Sequence, residues 1–196
     1  MELKNTILGR RAIRRYSDKE VPLDLVGEIL ELAKHAPSSG NLQNWKFVVV
    51  TKKSAKEKLA EASLEQYWMV EAPIHIVVCN DYEKVKDHYG KMGRMYSIQN
   101  CAVVAYAIML AAQDKGLGSC WVGAFDPDAV QRELGIPDNM DPEVIITLGY
   151  SNEKKADSLR EDLHYLTFVD SWGNREKKFE AFKEFKKKLD EIQKRF

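Results

Sequence analysis

The chain has 196 residues, and at roughly 150 residues per domain it predicts one domain whose core needs neither disulfides nor a structural metal. Its 44% hydrophobic and 31% charged content excludes a disordered chain. Thirty basic and thirty acidic side chains cancel, which leaves no net field to hold nucleic acid or an anionic membrane, so an anion site must come from local clustering.

A short helix is predicted from Glu2 to Leu8, ended by Gly9 and followed by the basic connector RRAIRR. Pro22 suits a first helical turn, and Leu25, Ile29, Leu30, Leu32 and Ala33 recur at helical spacing until Ala36, where Pro37 stops the helix. The β-branched runs KFVVVT, Lys46 to Thr51, and IHIVVCN, Ile74 to Asn80, read as buried strands, with a helix from Ser54 to Leu64 between them. From Gly93 to Lys115 the sequence is apolar nearly all round in its middle, which predicts a central helix enclosed on every side. Gly116 and Gly118 end that helix and SCWVG forms a short strand. Asp126 and Pro127 then supply an N-cap and first-turn proline for a helix running to Leu134, with Gly135 as its stop. EVIITLGY, Glu143 to Tyr150, is the last clear strand. From Arg175 to Phe196, Phe179, Phe182, Phe185, Leu189, Ile192 and Phe196 recur at three- and four-residue steps, an amphipathic helix that must dock on its own subunit or on a partner. The order of elements implies an α+β or α/β chain with one sheet and a buried helix, without repeat or linker, as one domain over residues 1–196.

Cys79, Cys101 and Cys120 are odd in number and lack C-x-x-C spacing, which argues against a disulfide framework and a zinc site and for a reducing compartment. Met1 to Arg15 carries charges throughout and no apolar leader segment. Ile98 to Ala112 includes Gln99 and Asn100 and falls short of the ~20 residues of a bilayer span, so a cytoplasmic protein without a membrane partner is expected. His35, His75, His88 and His164 show no metal-ligand pairing, and His75 reads as a core histidine inside an apolar strand; no metal is expected. The sequence has no G-x-S-x-G elbow, P-loop or recognisable nucleophile motif.

Two clusters remain. Arg10, Arg11, Arg14 and Arg15 place four guanidiniums within six residues, either a phosphate clamp in which each charged hydrogen bond contributes about 1.5–3 kcal/mol, or a solvated basic turn. APSSGNLQNW, Ala36 to Trp45, concentrates hydroxyls and amides between a helix end and a strand. Such a loop suits an uncharged, planar, hydrogen-bonding ligand, or is a turn using Pro37 as helix stop and Ser and Asn as local backbone partners. GLGSCWVG, Gly116 to Gly123, has glycines near dinucleotide-loop spacing but follows a helix and precedes a strand, the reverse of the Rossmann order. Its glycines read as a helix stop and a close backbone approach.

Taken in order, RRAIRRYSDKEVP, ELAKHAPSSGNLQNWKFVVV, the long helix, GLGSCWVGAF and ITLGY resemble the FMN-dependent nitroreductase family over nearly the whole chain. The resemblance implies a nitroreductase-like α+β fold, a single antiparallel or mixed sheet flanked by helices with a long buried central helix. It implies a homodimer with FMN in each of two interface sites, reduced by NADH or NADPH. A small electron-poor acceptor such as a nitroaromatic, quinone or enone reoxidises the flavin in ping-pong fashion. Hydride transfer is then the flavin's, which accounts for a chain without a nucleophile.

By position, the resemblance makes Arg10 and Arg11 phosphate and ribityl contacts, gives Ala12 a backbone contact, and turns Arg14 toward the flavin's pyrimidine edge, where a cation favours the anionic reduced ring. Pro37, Ser38, Ser39 and Asn41 would approach the flavin from the partner subunit, with Gln43 near its polar edge. Val122 and Gly123 resemble the backbone beside the ring, and Arg160 the late basic residue that closes on the phosphate. The chain departs from the family pattern at Ala12, where many members have serine, at Asn44, where proline is usual, and in the compact segment Asp81 to Gly93. The last two bear on substrate choice, and Tyr67, Trp68, Tyr89, Arg94 and Tyr96 are candidate pocket walls. Competing expectations are a specialised flavin enzyme on the same scaffold, such as a dehalogenase or flavin-modifying enzyme, and a flavin- or nucleic-acid-binding module without turnover.

Overall fold

The β-branched runs pair into one sheet. Its strands are β1 (Trp45–Val50), β2 (Ile74–Asn80), β3 (Gly118–Val122) and β4 (Asp141–Gly149), in the spatial order β1-β2-β4-β3. Every neighbouring pair is antiparallel, with one register shift between Val78 and Cys79 where β2 meets β4. The computed structural model describes residues 2–153 and 159–174 of the chain. Its contacts gather into two units, Met1–Lys154 and Lys155–Phe196. The expected C-terminal amphipathic helix from Arg175 lies outside the described residues.

In the first unit the sheet carries helices on both faces. α1 (Leu3–Gly9), α2 (Leu23–Ala33), α3 (Lys53–Ala62), α4 (Tyr82–Tyr89), α5 (Gly93–Asp114) and α6 (Pro127–Leu134) complete it. Because side chains alternate along a strand, Ile74, Ile76 and Val78 of β2 join Ile146 and Leu148 of β4 in a core shared with α2 and α5. Val77 and Cys79 enter a second core with Ile145, Val122, Leu59 of α3 and Val130 of α6. A strand buried on both faces has no polar side, which is why these segments read as unbroken apolar runs.

α6 begins as its sequence predicts: Asp126 accepts hydrogen bonds from the N–H groups of Asp128 and Ala129 at 3.0 and 3.3 Å, and Gly135 closes the helix at φ 62°. α2 stops at Ala33, short of Ala36: its last turn tightens, with the His35 and Ala36 N–H groups donating to the carbonyls of Leu32 and Ala33 at 3.3 and 2.9 Å, and Pro37 disfavours helical backbone at Ala36. The segment Asp81 to Gly93 contains α4, started by the Asp81 carboxylate accepting from the Lys84 N–H.

The central helix differs in one respect from the expected all-round enclosure. Cys101, Val104, Ala105, Ile108 and Ala112 of α5 are fully buried, yet Met95, Ile98, Val103 and Tyr106 stand 39–45% exposed along one side. The stretch Tyr82–Asp114 has the length and apolarity to cross a membrane, and half of its most apolar window is buried inside this fold. The three cysteines are free and buried, and burial raises the thiol pKa of each.

His75 is a core histidine. It has no exposed surface, its Nε2 lies 2.8 Å from the Met69 carbonyl, and burial holds its pKa down at about 4. Buried Lys56 donates to the carbonyls of Val70 and Ala72 at 3.4 and 2.7 Å, so the two side chains together pin the 3-10 turn Tyr67–Glu71. The unfolded ring titrates near 6.5 and the folded one near 4, so the unfolded chain binds the extra proton between those values and stability rises with pH across that window. That stability is complete above the higher value and gone below the lower. Urea unfolding at pH 7 and pH 5 is expected to show the wild type losing about 2 kcal/mol more than His75→Asn; equal losses would refute the assignment.

The described part of the second unit contains one short helix, α7 (Leu163–Leu166), started by Asp162 accepting from the His164 N–H at 3.1 Å. Phe168 and Trp172 pack against each other with ring centroids 4.6 Å apart.

Candidate functional site

The arginine segment is laid along the edge of β3. The Ile13 N–H donates to the Ser119 carbonyl at 3.0 Å, and Ala12 pairs with Ser119 in a parallel bridge. Ile13 is 2% exposed and sinks against Gly118, where an added Cβ would stand 2.8–3.0 Å from three Ile13 side-chain atoms. Only glycine admits that approach, which is the close backbone contact read from GLGSCWVG. Three residues on, the buried Tyr16 hydroxyl donates to the Ile13 carbonyl at 2.6 Å and lies 2.7 Å from Thr147 Oγ1. Burial raises the Tyr16 pKa, so this hydroxyl keeps its proton. The backbone that carries Arg14 is thus clamped on both sides.

Between those anchors Arg14 points outward. Its guanidinium lies 5.6 Å from the centre of the half-buried Trp68 ring and its N–H donates to Glu153 at 2.8 Å. The same guanidinium opposes the burial that raises the Cys120 thiol pKa, placing a cation beside β3. Arg10 is half-buried at the end of α1. Arg11 donates through one guanidinium nitrogen to the carbonyls of Leu8, in the last turn of α1, and of Arg10 just beyond it. At the other end of β3, Val122 is buried in the second core and Gly123 is exposed beside Trp121.

The second element is the turn from Pro37 to Gln43, whose centre is a 3-10 turn Ser39–Asn41. Gly40, Asn41 and Gln43 all have positive φ, 57°, 55° and 47°. Left-handed backbone at the two non-glycine positions costs on the order of 1–3 kcal/mol each, so other bonds must hold it. They are present: Gln43 N–H donates to Ser38 Oγ at 3.0 Å, and Gln43 Nε2 donates to the Asn41 carbonyl and Oδ1 at 3.1 and 3.2 Å. Ser39 donates through both N–H and Oγ to Asn100 Oδ1 of α5, at 2.9 and 3.1 Å. The Tyr89 hydroxyl packs over Gly40, and Tyr89 meets Tyr96 edge-on with centroids 5.1 Å apart.

Of the expected site residues, Arg10 to Arg14 and Val122 to Gly123 are therefore gathered around β3, whereas Pro37 to Gln43 are tied to α5. Arg160 lies in the second unit and donates to the Leu159 carbonyl at 3.2 Å. Asn44 does not face a pocket: it has no exposed surface and bonds to Asn80, Ser97 and Asn100. Arg94 pairs with Asp141 and, at 3.4 Å, with Glu143. Sequence reasoning did not assign Asn100 and Ser97 to the site, although two polar residues three positions apart at the start of the apolar stretch of α5 were the available signal. An open groove of about 770 Å³ between α3 and α6 contains none of these residues, and its Lys58, Glu61, Arg132 and Glu133 alternate in sign.

Comparison with known proteins places this geometry. A model of the Nitroreductase family matches residues 7–150. The NADH dehydrogenase of Thermus thermophilus is 34% identical over 188 residues, covering 82% of this chain and 92% of that protein. An FMN reductase (NAD(P)H) of Bacillus subtilis is 27% identical over 169 residues, covering 79% and 68%. The solved structure of an FMN-dependent nitroreductase from Clostridium difficile superimposes with a TM-score of 0.72 at 31% identity, covering 87% of this chain and 98% of that one. The matched stretch runs from α1 to the end of β4 and carries both the arginine segment and the strained turn, so the chain belongs to the Nitroreductase family.

Proposed function

We propose that the protein is a homodimeric FMN-dependent oxidoreductase that takes hydride from NADH or NADPH and passes it to a small electron-poor acceptor such as a nitroaromatic, quinone or enone. The observation that carries this reading is a clamped arginine segment beside β3, in a chain of this family that also holds a rigid, donor-rich turn. The donor set suits FMN. Guanidinium forks match phosphate oxygens two at a time, and hydroxyl and amide groups suit the uncharged edges of a flavin. Arg10 and Arg11 would hold the phosphate, and the backbone at Ala12 would lie alongside. Arg14 would meet the pyrimidine edge, and Val122 and Gly123 would line the ring. Bound FMN supplies the hydride chemistry; the chain binds it, orients it and sets the charge at its edge.

The homodimer reading is supported by the uncovered apolar side of α5. Met95, Ile98, Val103 and Tyr106, together with Leu3 and Ile7 of α1, form exposed large hydrophobic surface of the kind that marks an interface. A second copy seated there would bring in the Pro37, Ser38, Ser39, Asn41 and Gln43 turn as its share of the flavin site. The activities for which the relatives are named, an NADH dehydrogenase, an FMN reductase and an FMN-dependent nitroreductase, support the nicotinamide donor and the flavin.

The absorption spectrum of the protein supplied with FMN, recorded anaerobically before and after NADPH and then NADH, tests this reading. A bound flavin band that bleaches is the expected result. A protein that takes up no FMN from excess, or whose flavin stays oxidised with both donors, refutes it.

A further inference from the structure

Asn44, Asn80, Ser97 and Asn100 form a polar cluster sealed inside the first unit, each no more than 4% exposed. Its hydrogen bonds run in one direction, which an acceptor-only carboxylate sets at one end and the donor-only Ser39 N–H matches at the other. Glu143 Oε1 accepts from Asn80 Nδ2 at 2.7 Å, and an ionised carboxylate can only accept. Asn80 Oδ1 is thereby turned toward Asn44 and accepts from Asn44 Nδ2 at 2.7 Å. That leaves Asn44 Oδ1 as an acceptor, and Asn100 Nδ2 donates to it at 2.7 Å. Asn100 Oδ1 is consequently the atom left facing the turn, where it accepts from both the N–H and the Oγ of Ser39. Reversing any one amide would set donor against donor or acceptor against acceptor along the row. Ser97 braces the row from the side, accepting at Oγ from Asn80 at 3.0 Å and at its carbonyl from Asn44 at 3.3 Å.

The turn's own bonds, from Gln43 to Ser38 and Asn41, hold its shape. They do not fix where it stands relative to α5. The two hydrogen bonds that Ser39 donates to Asn100 tie it to α5, beside the packing of Tyr89 over Gly40.

We propose that Asn100 is a positioning residue for the cofactor-binding turn, with its amide oriented through Asn44 and Asn80 by the acceptor-only carboxylate of Glu143. This rests on the assignment of Ser38, Ser39, Asn41 and Gln43 to the flavin. Asn44, at the position where the family pattern has proline, is then part of this chain's own way of placing that turn, and its amide reaches the turn through Asn100.

Asn100→Ala, and the milder Asn100→Ser, test the proposal by FMN titration well below the melting temperature, the visible circular dichroism of bound FMN, and amide hydrogen exchange over residues 38–43 in the FMN-free protein. Asn100→Ala is expected to weaken FMN binding by about tenfold, to change the visible dichroism, and to speed exchange at Ser39 while β1 stays protected. If Asn100→Ala does not fold, Asn100→Ser is expected to give the same changes at smaller size. Folded variants with wild-type FMN affinity and dichroism overturn the proposal and leave Asn100 a core-packing residue. A wild-type protein that takes up no FMN overturns the assignment of the turn itself, which is a separate result.

Discussion

Arg14→Ala is expected to lower the midpoint potential of bound FMN by about 30–60 mV. A hydrogen bond to a charged group contributes about 1.5–3 kcal/mol, and for a two-electron couple 30 mV corresponds to about 1.4 kcal/mol. The sign follows from charge: reduction places negative charge on the flavin's pyrimidine edge, a cation there favours the reduced form, and removing it favours the oxidised form. What makes Arg14 the residue to change is its support. The segment is anchored at Ile13 by the Ser119 carbonyl and at Tyr16 by Thr147, and the guanidinium rests against Trp68. Arg14→Lys retains the charge without the planar fork and is expected to recover part of the potential. Redox titration against a dye of known potential, with each variant saturated in FMN, gives the comparison. An unchanged potential in Arg14→Ala with FMN still bound would take the role away from Arg14 and leave the family assignment standing.

The strands and the cap-bounded helix were legible because their causes are local. β1, β2 and β4 announce themselves by β-branched runs, and α6 by Asp126, Pro127 and Gly135. α4 was not legible, since it buries only Val85 and, apart from the tyrosines at its two ends, is otherwise charged or polar. Its stability comes from packing on α5, which no local pattern encodes. The all-round apolar character of α5 was visible, but apolarity alone does not separate the side facing the core from the side left uncovered at Met95, Ile98, Val103 and Tyr106. The sheet order β1-β2-β4-β3 is a tertiary fact of the same kind.

At the candidate site, the clusters stand out in the sequence, but which of their side chains the fold ties to its own backbone does not. Four arginines in six residues look equivalent in sequence, yet Arg11 covers the end of α1 while Arg14 is displayed over Trp68. Asn44 drew notice only as a departure from proline, which pointed toward substrate choice. Its partners Asn80 and Asn100 lie 36 and 56 residues away in sequence, and folding alone brings them together.

Gly118→Ala is expected to destabilise the protein by about 1–3 kcal/mol, the usual cost of overpacking a filled interior, and to weaken FMN binding at temperatures where the variant is fully folded. The new methyl would stand 2.8 Å from Ile13 Cγ1 and 3.0 Å from both Ile13 Cβ and Cγ2. These three atoms are the branch point and both branches of a β-branched side chain, so rotation about χ1 exchanges one clash for another. The contact with Cβ is removed only by moving the Ile13 backbone. That backbone is bonded to Ser119 on one side and receives the Tyr16 hydroxyl on the other, so a shift stretches both anchors and carries Arg14 off Trp68. For a domain of this size each kcal/mol moves the melting temperature by about 2–4 °C, which a thermal melt of the FMN-free protein resolves. Combining Gly118→Ala with Ile13→Ala relieves most of the overlap, and the pair is expected to cost less than the sum of the single changes. Wild-type melting temperature and FMN affinity in Gly118→Ala would mean that β3 and the arginine segment separate without loss. The clamp would then not be what holds Arg14 in place.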